Sequence, residues 1–137
     1  MNNQKLAHKS VQWRSINHTE HLQFTFPSTF TVDDAVNFIE QSGSLLNYKE
    51  DVIMIWDCSQ MRRYQPGSRE LWQGFIKEHQ SKISKIWLVS DSVMIRGGAK
   101  LIALFTSLDI VTVTSLDMIE ETSYLVSSRA DTVGVQN

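Results

Sequence analysis

Apolar positions along this chain change period several times, and each change marks a new element. Val11 and Trp13 alternate with Gln12 and Arg14, and Leu22, Phe24 and Phe26 alternate with Gln23 and Thr25. A period of two sets one face of a strand on a core and the other in water. Two strands are therefore predicted, with Asn17-His18-Thr19-Glu20 as the hairpin turn between them. Val32, Ala35, Val36 and Ile39 then follow at helical spacing. Thr31 just before them and Asp34 in the first turn carry the chemistry of a helix start, and Gly43 is the expected stop.

The run Val52-Ile53-Met54-Ile55-Trp56 is apolar without alternation and rich in β-branched residues, which predicts a strand covered on both faces at the sheet interior, ended by Asp57. After a break at Pro66-Gly67, a second helix is marked by Leu71, Trp72, Phe75 and Ile76 and is expected to run towards Ile83. Ile86-Trp87-Leu88-Val89 reads as another buried strand. Met94, Gly98, Leu101, Ile102, Phe105 and Leu108 predict a third helix, and Ile110-Val111-Thr112-Val113 a fifth strand. A last helix starting near Ser115 carries Met118, Ile119, Leu125 and Val126.

The order is β-β-α-β-α-β-α-β-α, an α/β fold with a mixed, mostly parallel five-stranded sheet and four helices. Strands joined through helices of this length run parallel with right-handed crossovers, which leaves the opening hairpin as the antiparallel part. One domain is expected over residues 11–126, with polar, aperiodic and flexible ends at 1–10 and 127–137.

Composition narrows the function classes. A chain of 137 residues, 42% hydrophobic and 20% charged, can bury a core without staples. Its 13 basic and 15 acidic residues leave a net charge of −2, without the basic excess that nucleic-acid binding needs. Cys58 is the single cysteine, so there is no internal disulfide. The first ten residues hold no signal-peptide core, and no apolar run approaches the roughly 18 residues of a membrane span. The expected location is the cytoplasm, with no membrane insertion.

Ligands of open α/β sheets sit outside the carboxyl ends of the parallel strands. There the first loop offers Asp57, Ser59, Arg62, Arg63, Tyr64 and Ser68, and the second Asp91, Ser92, Arg96, Gly97, Gly98 and Lys100. Asp57 and Asp91 end consecutive strands, so they either share a proton or metal ion or bond to nearby loop amides. Arg96-Gly97-Gly98-Ala99-Lys100 at a helix start either holds an anion or lets the helix pack closely on the sheet; the phosphate-loop spacing is absent. Arg62-Arg63-Tyr64 is a basic-aromatic tip suited to an acidic partner, or simply solvated. His18 and His21 flank Glu20 in the hairpin without making a metal site, and His79 on the second helix covers core. Cys58 has no local His or Cys partner, and no nucleophile-elbow spacing occurs. No catalytic residues, metal or cofactor are expected. The four tryptophans Trp13, Trp56, Trp72 and Trp87 read mostly as core.

The element order, together with Val52 to Ser59 and then a loop and a helix near Ser68, resembles the sulfate transporter and anti-sigma antagonist (STAS) domain superfamily, in particular its stand-alone SpoIIAA-like members. In that family a strand ending Asp-x-Ser leads to a helix whose first turn holds a Ser or Thr phosphorylated by a partner kinase. Asp57 and Ser59 match the strand end. Gln65-Pro66-Gly67-Ser68-Arg69 stands in place of the usual Asp-Ser-Ser/Thr-Gly, which makes Ser68 the candidate phosphoacceptor, or an exposed helix N-cap near Arg62, Arg63 and Arg69. The resemblance implies a bacterial, non-catalytic regulatory or protein-interaction module with a kinase-like or other regulatory protein as partner, the homo-oligomeric state being left open. The alternative is a carrier or sensor for a small anion or lipid at the loops after the third and fourth strands, because SpoIIAA-like relatives share topology with lipid carriers of the CRAL-TRIO type.

Overall fold

The computed structural model describes residues 10–122. β1 (Val11–Ile16) and β2 (Thr19–Thr25) pair antiparallel from Val11 opposite Phe24 to Ile16 opposite Thr19. Asn17 and His18, at φ of 51° and 66°, make the two-residue turn, the primed kind whose twist matches the flanking strands. β4 (Val52–Asp57), β6 (Ile83–Val89) and β7 (Ile110–Val113) complete a mixed five-stranded sheet in the order β1-β2-β4-β6-β7, every pairing after the first being parallel. β4 lies at its centre. Val52, Met54, Ile55 and Trp56 are buried as expected, whereas Ile53 is only partly covered because it faces the thinner side of the sheet.

Three helices cover one face: α1 (Val32–Leu46), α2 (Pro66–Glu78) and α3 (Val93–Thr106). They pack onto the main core, which β2, β4 and β6 supply through Leu22, Phe24, Met54, Trp56, Ile86 and Leu88. The opposite face holds a smaller cluster, Ile16, Ile55, Trp87, Val89, Val113 and Ile119, under a fourth helical segment at residues 116–122. Asn17 Nδ2 donates to the Glu120 carbonyl at 3.0 Å, which ties the hairpin tip to that segment. The expected flexible ends lie outside the described residues, as do Leu125 and Val126 of the last helix.

Helix starts follow the local chemistry. Thr31 and Asp34 form a complete capping box: Thr31 Oγ1 accepts from Asp34 N at 3.1 Å, and Asp34 Oδ2 accepts from Thr31 N at 2.9 Å. Three sequence-based expectations fail here. Gly43 does not stop α1, which continues to Leu46 and ends on Asn47. Pro66-Gly67 is not a break, because Pro66 opens α2, where a missing N–H costs nothing. α2 ends at Glu78, and a 3-10 turn over Gln80–Lys82 delivers the chain to β6. An unforeseen pair of two-residue strands, β3 (Thr29–Phe30) and β5 (Arg63–Tyr64), runs parallel beside the starts of α1 and α2.

Candidate functional site

The loop after β4 is ordered by its own polar groups. Asp57 accepts from Ser59 Oγ at 2.7 Å and from Ser59 N at 3.2 Å, so its carboxylate is spent on the turn. The backbone N–H groups of Arg62 and Arg63 both reach the Ser28 carbonyl, which leaves their side chains exposed. Tyr64 is half-buried and turns its ring towards α3.

Ser68 corrects the sequence reading. The cap of α2 is Gln65, and Ser68 sits one turn in, fully buried at 0% exposure. Its Oγ donates to the Gln65 carbonyl at 2.6 Å. Gln65 meanwhile gives its side-chain oxygen to Val32 N at 2.8 Å, and the Cβ that Gly67 lacks would lie 3.1 Å from Val32 Cγ2. Residues 65–68 therefore bind the starts of α1 and α2 together, and the hydroxyl expected at the surface faces inward.

The second loop is shorter than expected. Ser92 is the cap of α3, its Oγ accepting from Ile95 N at 3.3 Å, so Arg96, Gly97, Gly98 and Lys100 lie inside the helix. Their amides are engaged in helical bonding and cannot form the open cradle that an anion requires. Arg96 Nε turns back to the Ser90 carbonyl at 2.9 Å. Gly98 has a packing reason: a Cβ there would come within 2.8 Å of Tyr64 Oη. Gly97 and Lys100 are exposed, as is Asp91.

Between the sheet and α2 and α3, at the carboxyl ends of β4 and β6, lies an open-mouthed cavity of about 40 Å³. Of the residues singled out in the sequence it gathers Tyr64, Gly98, Cys58 and Arg69. Trp56, Trp72, Met61, Ile95 and Ile102 also line it, and none of them is a site candidate by sequence pattern. The signal available was chemical: an indole N–H is a donor that needs a partner when buried. Both Trp56 Nε1 and Trp72 Nε1 are buried without one. Burial, and secondarily the Asp57 carboxylate, push the Cys58 thiol well above its ordinary pKa, so it stays protonated and a poor nucleophile.

A second feature is the outer face of α3. Val93, Met94, Leu101, Leu104 and Phe105 are exposed there, Val93 at 85% and Leu104 at 78%. The buried stripe is instead Ile95, Gly98, Ala99, Ile102 and Thr106, so the predicted apolar face was rotated: Met94, Leu101 and Phe105 look outward. Arg96 and Lys100 are the charged residues of this helix. Among the described residues no three of His, Cys, Asp or Glu converge as a metal site, and no helix is long and apolar enough to cross a membrane. His18 is exposed and His21 buried, so the two do not converge in the hairpin. His79, half-buried, caps the end of α2 against Phe75.

No family model matches the chain, and no curated protein matches it. Among solved structures, an uncharacterised protein of the DUF3478 family from Shewanella loihica PV-4, described as having a SpoIIAA-like fold, superposes with a TM-score of 0.68 at 9% identity. The match covers 78% of this chain and 86% of that one. Sheet order, helix placement and this superposition agree that the chain has the SpoIIAA-like fold.

Proposed function

We propose that the protein is a non-catalytic interaction module that docks a regulatory protein on the outer face of α3. The observation that supports this reading is the exposure of Val93, Met94, Leu101, Leu104 and Phe105 on one helix. Contiguous apolar surface of this kind is costly to leave in water and marks docking sites. Arg96 and Lys100 flank the face without an acidic residue on the helix, so the complementary partner is a protein with an apolar surface rimmed by Asp or Glu. A second copy suits the face less well, because two α3 helices packed antiparallel about a two-fold axis would bring their Lys100 side chains together. Ser68 enters as a structural tie, since a phosphoryl switch there would require the first turn of α2 to open.

Site-directed photo-crosslinking in the source cell tests this. A benzophenone side chain at position 104 should give a discrete adduct with another protein, weakened by Lys100→Glu, while one at exposed Asn37 on α1 should give none. Equal labelling from both positions would contradict the reading.

A second reading, a small-ligand carrier or sensor, is supported by the cavity at the carboxyl ends of β4 and β6. Its location agrees with the general rule for open α/β sheets. The two readings use different surfaces and are compatible.

A further inference from the structure

The cavity at the carboxyl ends of β4 and β6 is walled almost entirely by carbon. Trp56 and Trp72 line it, and their indole nitrogens are inaccessible, so these side chains offer it ring carbon and no donor. Ile95, Ala99 and Ile102 of α3 and Leu88 of β6 extend the same apolar surface. A water settles in a cavity when roughly two to four polar partners hold it, and this wall does not supply them. The wall also resists collapse into the space, because four of its aromatic residues are packed on one another. Ring centroids are 4.7 Å apart for Phe26 and Phe30, 5.8 Å for Phe26 and Trp72, and 5.8 Å for Trp56 and Trp72. Such a void leaves dispersion contacts unmade along its lining, and an apolar guest makes them without first moving a side chain. The volume, about 40 Å³, is about three times what one water-sized group needs, which limits the guest to about three to four carbon atoms.

We infer that the cavity seats the apolar end of a small ligand, a compact aliphatic group of about three to four carbons that enters without a polar atom. This rests on the ligand-carrier reading and names its ligand class. The wall comes from β4, β6, α2 and α3, so the seat exists only in the folded chain.

The test is an NMR titration of the full chain with ethane, propane, butane and pentane, and with ethanol as the polar isostere of propane, read on the amide and methyl signals of Ile95, Ala99 and Ile102. Propane should shift these signals and leave those of Val113 and Ile119, in the cluster on the opposite face of the sheet, in place. Affinity should rise about fourfold per carbon from ethane to butane and level off at pentane, where the space is full. Ethanol should bind about tenfold or more weakly than propane, because its hydroxyl finds no partner in the cavity. Ala99→Leu fills the space from α3 and should abolish the propane response; if that variant does not fold, the alkane series and ethanol decide on the wild type. Ethanol binding as tightly as propane would overturn the apolar ligand class while leaving the cavity a ligand site. Affinity still rising fourfold at pentane would overturn the size of the guest. A full propane response in folded Ala99→Leu would overturn the location. Silence of all three residues to every alkane at its solubility limit would overturn the ligand-carrier reading itself.

Discussion

Ser68 shows how far one side chain can depart from a pattern. Its place beside Pro66-Gly67 suggested an exposed cap, yet the helix starts earlier and the hydroxyl is buried against the Gln65 carbonyl. Two substitutions separate these descriptions. Ser68→Ala should cost about 1 kcal/mol through the lost hydrogen bond. Ser68→Asp should cost roughly 3 kcal/mol or more, because it places an unpaired carboxylate in the interior. Thermal unfolding of both variants is the check, and an aspartate variant as stable as wild type would restore the surface cap. His21 supplies a second residue-level test. It is buried, with Nδ1 2.9 Å from the Thr19 carbonyl. Burial lowers its pKa from 6.5, opposed by the Thr19 carbonyl and by Glu20 and assisted by Lys85. A depressed folded value means that the unfolded chain binds the extra proton first. The stability this group contributes is therefore complete above pH 6.5 and declines as pH falls below it. Chemical denaturation of wild type and His21→Phe between pH 7.5 and 5 should show the midpoint of wild type falling more steeply. Parallel slopes would mean that His21 protonates freely in the folded protein.

At the scale of elements, the sequence was most legible where local chemistry and tertiary demand agree. Thr31 and Asp34 announced α1 and form its capping box, so Thr31→Ala should destabilise by about 1 kcal/mol in thermal unfolding. The uninterrupted run Val52 to Trp56 announced the central strand, because only a strand with neighbours on both sides and cover on both faces can afford no polar positions. Legibility failed where a residue has two uses. Pro66 breaks a helix interior but fits its first turn, and Gly43 is tolerated inside α1 because one interior glycine costs only about 1 kcal/mol while Ala35, Phe38, Ser42 and Leu46 of the same helix are buried. α3 is apolar nearly all round, so periodicity could not say which side faces the sheet. The choice came from packing: Ile95, Ala99 and Ile102 join the main core, and Gly98 on the same face leaves room for the Tyr64 ring. Gly98→Ala should therefore displace Tyr64 and change the accessibility of the cavity, visible as altered quenching of Trp56 and Trp72 fluorescence by acrylamide. Unchanged quenching would mean that Tyr64 does not close that wall.

For the whole molecule, fold class, the order of elements along the chain and the antiparallel opening hairpin could be read from period and length, and the superposition on a SpoIIAA-like structure agrees with the fold, whereas the spatial order β1-β2-β4-β6-β7 had to come from the structure. The site could not be read in this way. Its cavity is assembled from β4, β6, α2 and α3, each contributing residues indistinguishable from ordinary core until the fold gathers them. The same folding leaves the apolar, basic side of α3 outside, where it contributes nothing to the core. A surface kept for binding and not for stability is the central claim, and Leu104→Glu tests it most directly. Against a partner recovered by crosslinking at position 104, the variant should bind about thirtyfold or more weakly, the loss of a central apolar anchor. Its unfolding free energy should stay within about 0.5 kcal/mol of wild type, as for an exposed position. Undiminished affinity, or a loss of stability as large as the loss of binding, would contradict the account.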